Sequence, residues 1–135
     1  IALLAQHGQT ERVKAALLRG ADVNLPTKMG NTALILACRY NQVETAKLLL
    51  ENGANINATN NQKMTALMTA AELGALALIE MLLSYQPNQL LSDEKGRNAR
   101  KIALDKAPSN KYGYIKESSF FSIAQLLSLP GQIIS

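Results

Sequence analysis

Large aromatic side chains are scarce in this sequence, which has no tryptophan, two phenylalanines and four tyrosines among 135 residues. Hydrophobic residues nevertheless make up 47% of the chain. The core must therefore be built from leucine, alanine, isoleucine and methionine, which suit closely packed short helices. By length the chain is a single domain.

Cysteine and histidine each occur once, as Cys38 and His7. A single cysteine excludes an internal disulfide framework and fits a reducing compartment, so we expect an intracellular protein of the cytoplasm or nucleus. No second histidine, cysteine or paired carboxylate lies at metal-ligand spacing from His7. We therefore expect neither a metal site nor a cofactor.

Long hydrophobic runs are also missing. The most apolar stretch, residues 66–83, is interrupted by Glu72, Gly74 and Glu80, and we expect no membrane span.

The excess of positive charge is small, with a net charge of +4. It is concentrated between Lys95 and Lys116, a region that also contains Tyr112 and Tyr114. Basic and aromatic residues together can bind nucleic acid. Because the excess is so small, a solvated terminal region is the better interpretation, and we do not expect nucleic acid as a partner.

The sequence does contain an internal repeat, with a period of 33 residues. The segment 20–24, Gly-Ala-Asp-Val-Asn, returns at 53–57 as Gly-Ala-Asn-Ile-Asn, and Thr-Ala-Leu occurs at 32–34 and again at 65–67. A chain that overlays on itself at this interval is a stack of similar units rather than a globule with a pocket.

Each full unit predicts a polar turn followed by two short helices. In the second unit Thr32 precedes a helix from Ala33 to about Tyr40, which Asn41 ends in a left-handed conformation. A second helix follows from Val43 to about Asn52.

The predicted units are a partial first unit (1–26), a second (27–59), a third (60–92) and a divergent capping unit (93–135) with an insertion at 108–116. The first residues align with the middle of the first helix of later units. We therefore expect a monomeric fragment of a longer protein.

These residues resemble the ankyrin repeat family. The residues that carry the resemblance in the second unit are Gly30, Thr32, Leu34, Ala37, Leu48, Leu49, Leu50, Gly53, Ala54 and Asn57, and those in the third are Thr65, Leu67, Ala70, Ala71, Gly74, Leu82 and Leu83. The resemblance implies an all-α solenoid of stacked helix-turn-helix units with short hairpin-like turns.

Two departures from the family pattern lead to further expectations. The histidine that bonds neighbouring turns in the family is replaced by Ile35 and Met68, so we expect weaker coupling between units. Arg100 and Lys101 stand where buried apolar residues would lie, so we expect the first helix of the capping unit to face solvent.

No constellation of residues indicates catalysis. The glycines are isolated turn residues and form no phosphate-binding loop. Cys38 stands where the next unit has alanine, which predicts a small core residue rather than a nucleophile. Glu72 and Asp105 occupy equivalent positions of successive units, and we interpret them as solvated charges rather than catalytic carboxylates. We expect no catalytic residues and no enzyme activity.

The resemblance implies that a partner binds to the turn tips and the exposed side of the first helices, which line one concave face. The predicted contact residues are Lys28, Met29, Asn31, Arg39, Tyr40, Asn61, Gln62, Met64, Glu72, Leu73, Lys95 and Arg97. Glu94, Asp105, Lys106, Gln6 and His7 occupy matching positions in the outer units.

Two groups within this set have different expected roles. Four side chains are expected to be exposed anchors: Met29, Tyr40, Met64 and Leu73. Arg39, Lys95 and Arg97 are expected to set the charge preference.

The sequence thus predicts a non-catalytic protein–protein interaction module that binds a protein partner on its concave face. The alternative is the targeting arm of a larger multidomain enzyme or of a secreted bacterial effector, which would place the protein in the host cytoplasm.

Overall fold

A computed structural model describes residues 1–110, 113–114 and 118–127 of the chain. The elements in these residues are α1 (Ala2–Gln6), α2 (Thr10–Leu18), α3 (Ala33–Arg39), α4 (Val43–Glu51), α5 (Ala66–Leu73), α6 (Leu76–Leu83), α7 (Ala99–Lys106), β1 (Ser109–Asn110), β2 (Gly113–Tyr114) and α8 (Ser119–Leu126).

The helices form successive antiparallel pairs that stack side by side. Each first helix (α1, α3, α5 or α7) packs against the second helix that follows it, and neighbouring first helices pack against each other, α1 on α3, α3 on α5 and α5 on α7. The second helices α2, α4, α6 and α8 form a parallel row. Small buried residues such as Ala37, Cys38, Ala70 and Ala71 allow the first helices to approach closely. The predicted all-α solenoid is confirmed.

The helix ends follow the sequence signals. The Thr32 and Thr65 hydroxyls each accept a hydrogen bond, at 3.2 Å, from the backbone N–H three residues on, which satisfies an otherwise free amide of the first helical turn. Asn41 is left-handed, with φ of 56°, as predicted for the residue that ends the first helix of its unit.

The core runs the length of the stack and is aliphatic. Its largest fully buried side chains include Leu34, Ile35, Leu49, Met68, Leu78, Ile79, Leu82, Ile102 and Ile123. Burial raises the pKa of the Cys38 thiol to about 12, so the thiol stays protonated. This agrees with its predicted role as a small core residue.

The first helix of the fourth pair does not simply face solvent, and that expectation is wrong for Arg100. Helix α8 packs across α7, and the Arg100 guanidinium donates to the backbone carbonyls of Ala124 and Leu127 near the end of α8. A cation at this site complements the carbonyl dipoles of the helix terminus. Lys101 is exposed, as expected.

The insertion contains a short β ladder that the sequence did not indicate. Ser109 pairs with Tyr114 and Asn110 with Gly113 in antiparallel register. The other predicted features of this region, Tyr112, Lys116 and residues 128–135, lie outside the described residues. Beyond the insertion, the Phe120 ring covers Gly74, where an added Cβ would lie 2.8 Å from the ring carbons.

Candidate functional site

Three turns of similar construction project from the starts of the first helices. In the turns at residues 27–31, 60–64 and 93–97, a side-chain oxygen of the first residue accepts a hydrogen bond from the N–H four residues on, at 3.2, 3.0 and 2.9 Å. The tips of the turns, at residues 28–29, 61–62 and 94–95, are exposed. In each turn the exposed tip is therefore held in place by a hydrogen bond that closes the turn.

Neighbouring turns are joined to one another by hydrogen bonds. The Asn60 amide donates to the Asn31 side-chain oxygen at 3.0 Å. The Asn61 backbone donates to the Met29 carbonyl at 3.0 Å, and the Glu94 backbone donates to the Gln62 carbonyl at 3.1 Å. Coupling between turns is thus provided by asparagine and backbone groups, although Ile35 and Met68 replace the family histidine.

Two predicted contact residues are not exposed. Asn31 is only 7% exposed and Met64 only 8%, so the prediction that Met64 is an exposed anchor is wrong. Both are the last residue of their turn, where the chain turns inward toward the helix. The Asn31 side chain is engaged by Asn60, and Met64 joins the hydrophobic core.

A groove of about 540 Å³ lies between the turns and the ends of α3, α5 and α7. It is lined by Arg39, Gln62, Met64, Thr69, Glu72, Leu73, Asp93, Glu94, Lys95, Arg97 and Lys106. Seven predicted contact residues meet here: Arg39, Gln62, Met64, Glu72, Leu73, Lys95 and Arg97. The other five are not part of the lining: Lys28, Met29, Asn31, Tyr40 and Asn61.

Thr69 and Asp93 also line the groove but were not predicted as contacts. Asp93 had a detectable signal, because it occupies the position of Thr27 and Asn60 at the start of its turn. Thr69 corresponds by the repeat period to Leu36, a core position, and nothing in the sequence marks it as a groove residue.

Exposed apolar side chains lie on the same face as the groove. Tyr40 is 50% exposed and Leu73 is 44% exposed. They are equivalent by the repeat period and sit at the ends of α3 and α5, which pack against each other. Met29, at the tip of the turn before α3, is 63% exposed. Exposed apolar groups at the edge of a polar groove are typical of a binding surface.

Ion pairs connect the turn at 93–97 to α7. The Arg97 guanidinium contacts Asp93 at 2.9 Å and Asp105 at 3.4 Å, and the Lys101 ammonium contacts Asp105 at 2.9 Å. Asp105, expected to be a solvated charge, is thus ion-paired. Arg97, expected to set a charge preference, already has two carboxylate partners.

The pKa values of both carboxylates are lowered. Burial of Asp93 opposes ionisation, but hydrogen bonds from Arg97 and Lys95 outweigh this and bring its pKa below the ordinary value. The Lys101 ammonium, with a contribution from Arg97, lowers the pKa of Asp105. Both groups are therefore ionised at neutral pH and are poorly suited to act as general acids.

Among the described residues, no group of three or more histidine, cysteine, aspartate or glutamate side chains is placed to hold a metal ion. The groove offers hydrogen bonds, charges and a flanking apolar surface, which is the chemistry of molecular recognition. Within the same residues, no helix is both long enough and apolar enough to cross a membrane.

Comparison with known proteins identifies one family. A sequence model of ankyrin repeats, in three copies, matches residues 1–106. None of the curated proteins compared with the chain matches it. Ankyrin repeats are generally protein–protein interaction modules and are typically not catalytic. The chain belongs to the ankyrin repeat family.

Proposed function

We propose that this chain is a non-catalytic binding module that recognises a protein partner on the face formed by its turns and first helices. The observation that carries the proposal is the position of Tyr40 and Leu73, two half-exposed apolar side chains at equivalent positions of the repeat, at the ends of the adjacent helices α3 and α5. Leu73 also lines the groove. A few residues carry most of the binding energy of a protein interface, and tyrosine is among the residue types enriched in that role.

The rigidity of the surrounding turns supports this proposal. Each turn is closed by its own hydrogen bonds and bonded to its neighbour. A surface that is already ordered loses little conformational entropy when a partner binds, so more of the contact energy appears as affinity.

The proposal is tested by the double variant Tyr40→Ala with Leu73→Ala, used as immobilised bait for partner capture. We expect at least a tenfold loss of captured partner, since buried anchors contribute about 1–2 kcal/mol each. The matched control is Leu18→Ala with Leu25→Ala, which removes two exposed leucines outside the groove lining.

Circular dichroism and thermal unfolding establish that both variants remain folded. Capture that is unchanged in a folded Tyr40→Ala, Leu73→Ala variant, or that is lost equally in the control, would show that the partner binds elsewhere.

A further inference from the structure

Charged side chains at the ends of the first helices alternate in sign along the groove. Arg39 is the last residue of α3, Glu72 lies in the last turn of α5 and Lys106 is the last residue of α7. All three line the groove. Within the described part of the chain, none of them takes part in an ion pair.

The other charges of the groove largely cancel. Arg97 is paired with Asp93 and Asp105, and Asp105 is also paired with Lys101. On the turn side of the groove, Glu94 and Lys95 are adjacent at one tip and opposite in sign. The uncompensated charge pattern is therefore the plus, minus, plus order of Arg39, Glu72 and Lys106.

Building on the function proposed above, we infer that the partner contributes an extended segment with an acidic, a basic and an acidic side chain in that order. The two carboxylates face Arg39 and Lys106, and the basic group faces Glu72. An apolar side chain between the first two charges packs on Tyr40 and Leu73.

The spacing of the stack determines the spacing of these partner charges. Packed helices lie about 8–10 Å apart. An extended segment in the polyproline II conformation advances about 3.1 Å per residue with three residues per turn, so every third side chain lies on the same face, about 9 Å from the last. Every third partner residue then meets the next helix end. Side chains on one face of an α-helix recur about every 5.4 Å along its axis, so an extended segment matches the spacing of the helix ends more directly.

Two fluorescent peptides of identical composition and net charge test this inference by anisotropy. Peptide one carries acidic, basic and acidic residues at positions i, i+3 and i+6, and peptide two carries basic, acidic and acidic residues there. Each has a leucine between the first two charges. We expect the full chain to bind peptide one about tenfold more tightly, because two ion pairs are replaced by repulsions in peptide two.

The double variant Arg39→Glu with Glu72→Arg converts the pattern to minus, plus, plus and leaves the net charge unchanged. We expect its preference to reverse in favour of peptide two. Glu72→Gln, a smaller change, is expected to reduce the preference for peptide one by a few fold. The matched control, Lys47→Glu with Glu80→Lys, exchanges exposed charges on α4 and α6 and should retain the original preference.

Equal binding of the two peptides, no binding of either, or an unreversed preference in the exchanged variant would overturn the inference. These outcomes leave the proposed function standing, because that is judged separately by partner capture with Tyr40→Ala and Leu73→Ala. If that double variant loses peptide binding while the two peptides bind the wild type equally, the peptide binds at the proposed face, but the charges of the groove do not discriminate between the two charge orders.

Discussion

The turn at residues 27–31 and the turn at residues 93–97 have similar hydrogen bonding but different surroundings. In each, the first residue donates from its backbone to the carbonyl of the last at 2.9 Å, and the fourth residue is a left-handed glycine, with φ of 79° at Gly30 and 76° at Gly96. The first turn is covered by the turn at 60–64. An added Cβ at Gly30 would lie 2.8 Å from the Asn61 backbone nitrogen, whereas one at Gly96 would meet nothing within 4 Å in the described structure.

This comparison separates two reasons for a glycine at the same position of a repeat. Both turns need the left-handed backbone, which glycine adopts without strain. Only the covered turn also needs the space that a side chain would fill. The turn at 93–97 is stabilised in part by the ion pair between Asp93 and Arg97. At the equivalent position of the turn at 60–64, Asn60 instead donates a hydrogen bond to Asn31 of the neighbouring turn.

The largest expected effect comes from adding one methyl group to each glycine. Gly30→Ala should lower the free energy of unfolding by about 3 kcal/mol, because backbone strain and a clash with the next turn add together. Gly96→Ala should lose only about 1 kcal/mol, since strain acts alone. Urea unfolding of both variants measures the difference. Equal losses would mean that the turn at 60–64 can move away from the added methyl group, and that its close contact with Gly30 does not restrict the residue at this position.

A smaller effect on the free energy of unfolding is expected at Asp93, whose carboxylate stabilises the turn at 93–97. Asp93→Asn should cost about 1 kcal/mol at neutral pH, because the amide can still accept from the turn backbone but loses the ion pair. The pKa of Asp93 is lowered in the folded chain from an ordinary value of 3.8. Its ionised form therefore stabilises the fold above that pH, and the contribution is lost as the pH falls through the lower folded value.

The measurement is the free energy of unfolding between pH 7 and pH 3 for the wild type and Asp93→Asn. The gap between them should be constant near neutrality and should narrow below about pH 4. Glu94→Gln removes a neighbouring carboxylate that forms no ion pair among the described residues, and its gap should change less. A gap for Asp93→Asn that widens on acidification would contradict the assigned ion pair.

The regular part of the fold could be predicted because its signals are local. The cap at Thr32 and the left-handed Asn41 depend on residues within a few positions in the chain, and the period shows which residues share a face. The groove could be predicted in part, since Arg39, Glu72 and Leu73 occupy equivalent or adjacent positions on successive helices.

Features that depend on contacts between distant segments could not be predicted in the same way. The burial of Met64 depends on the inward path of the chain at the end of its turn. Arg100 reaches the end of α8 only because the chain returns across α7 after the insertion. The pairing of Arg97 with Asp105 joins a turn to a helix. Helical periodicity does not indicate this contact, because Arg97 lies before the start of α7.

The smallest expected effect lies in the middle turn, where Lys63 occupies the position of Gly30 and Gly96. Lys63 is left-handed, with φ of 60°, a conformation that costs an L-residue with a side chain about 1 kcal/mol. Lys63→Gly removes this strain but makes the unfolded chain more flexible, which offsets part of the gain. The free energy of unfolding should rise by about 0.5 kcal/mol, measurable as a shift in the urea midpoint at constant slope. Lys63→Ala retains the strain and is the matched control. A gain in that variant equal to the gain with glycine would attribute the effect to the lost charge rather than to the backbone.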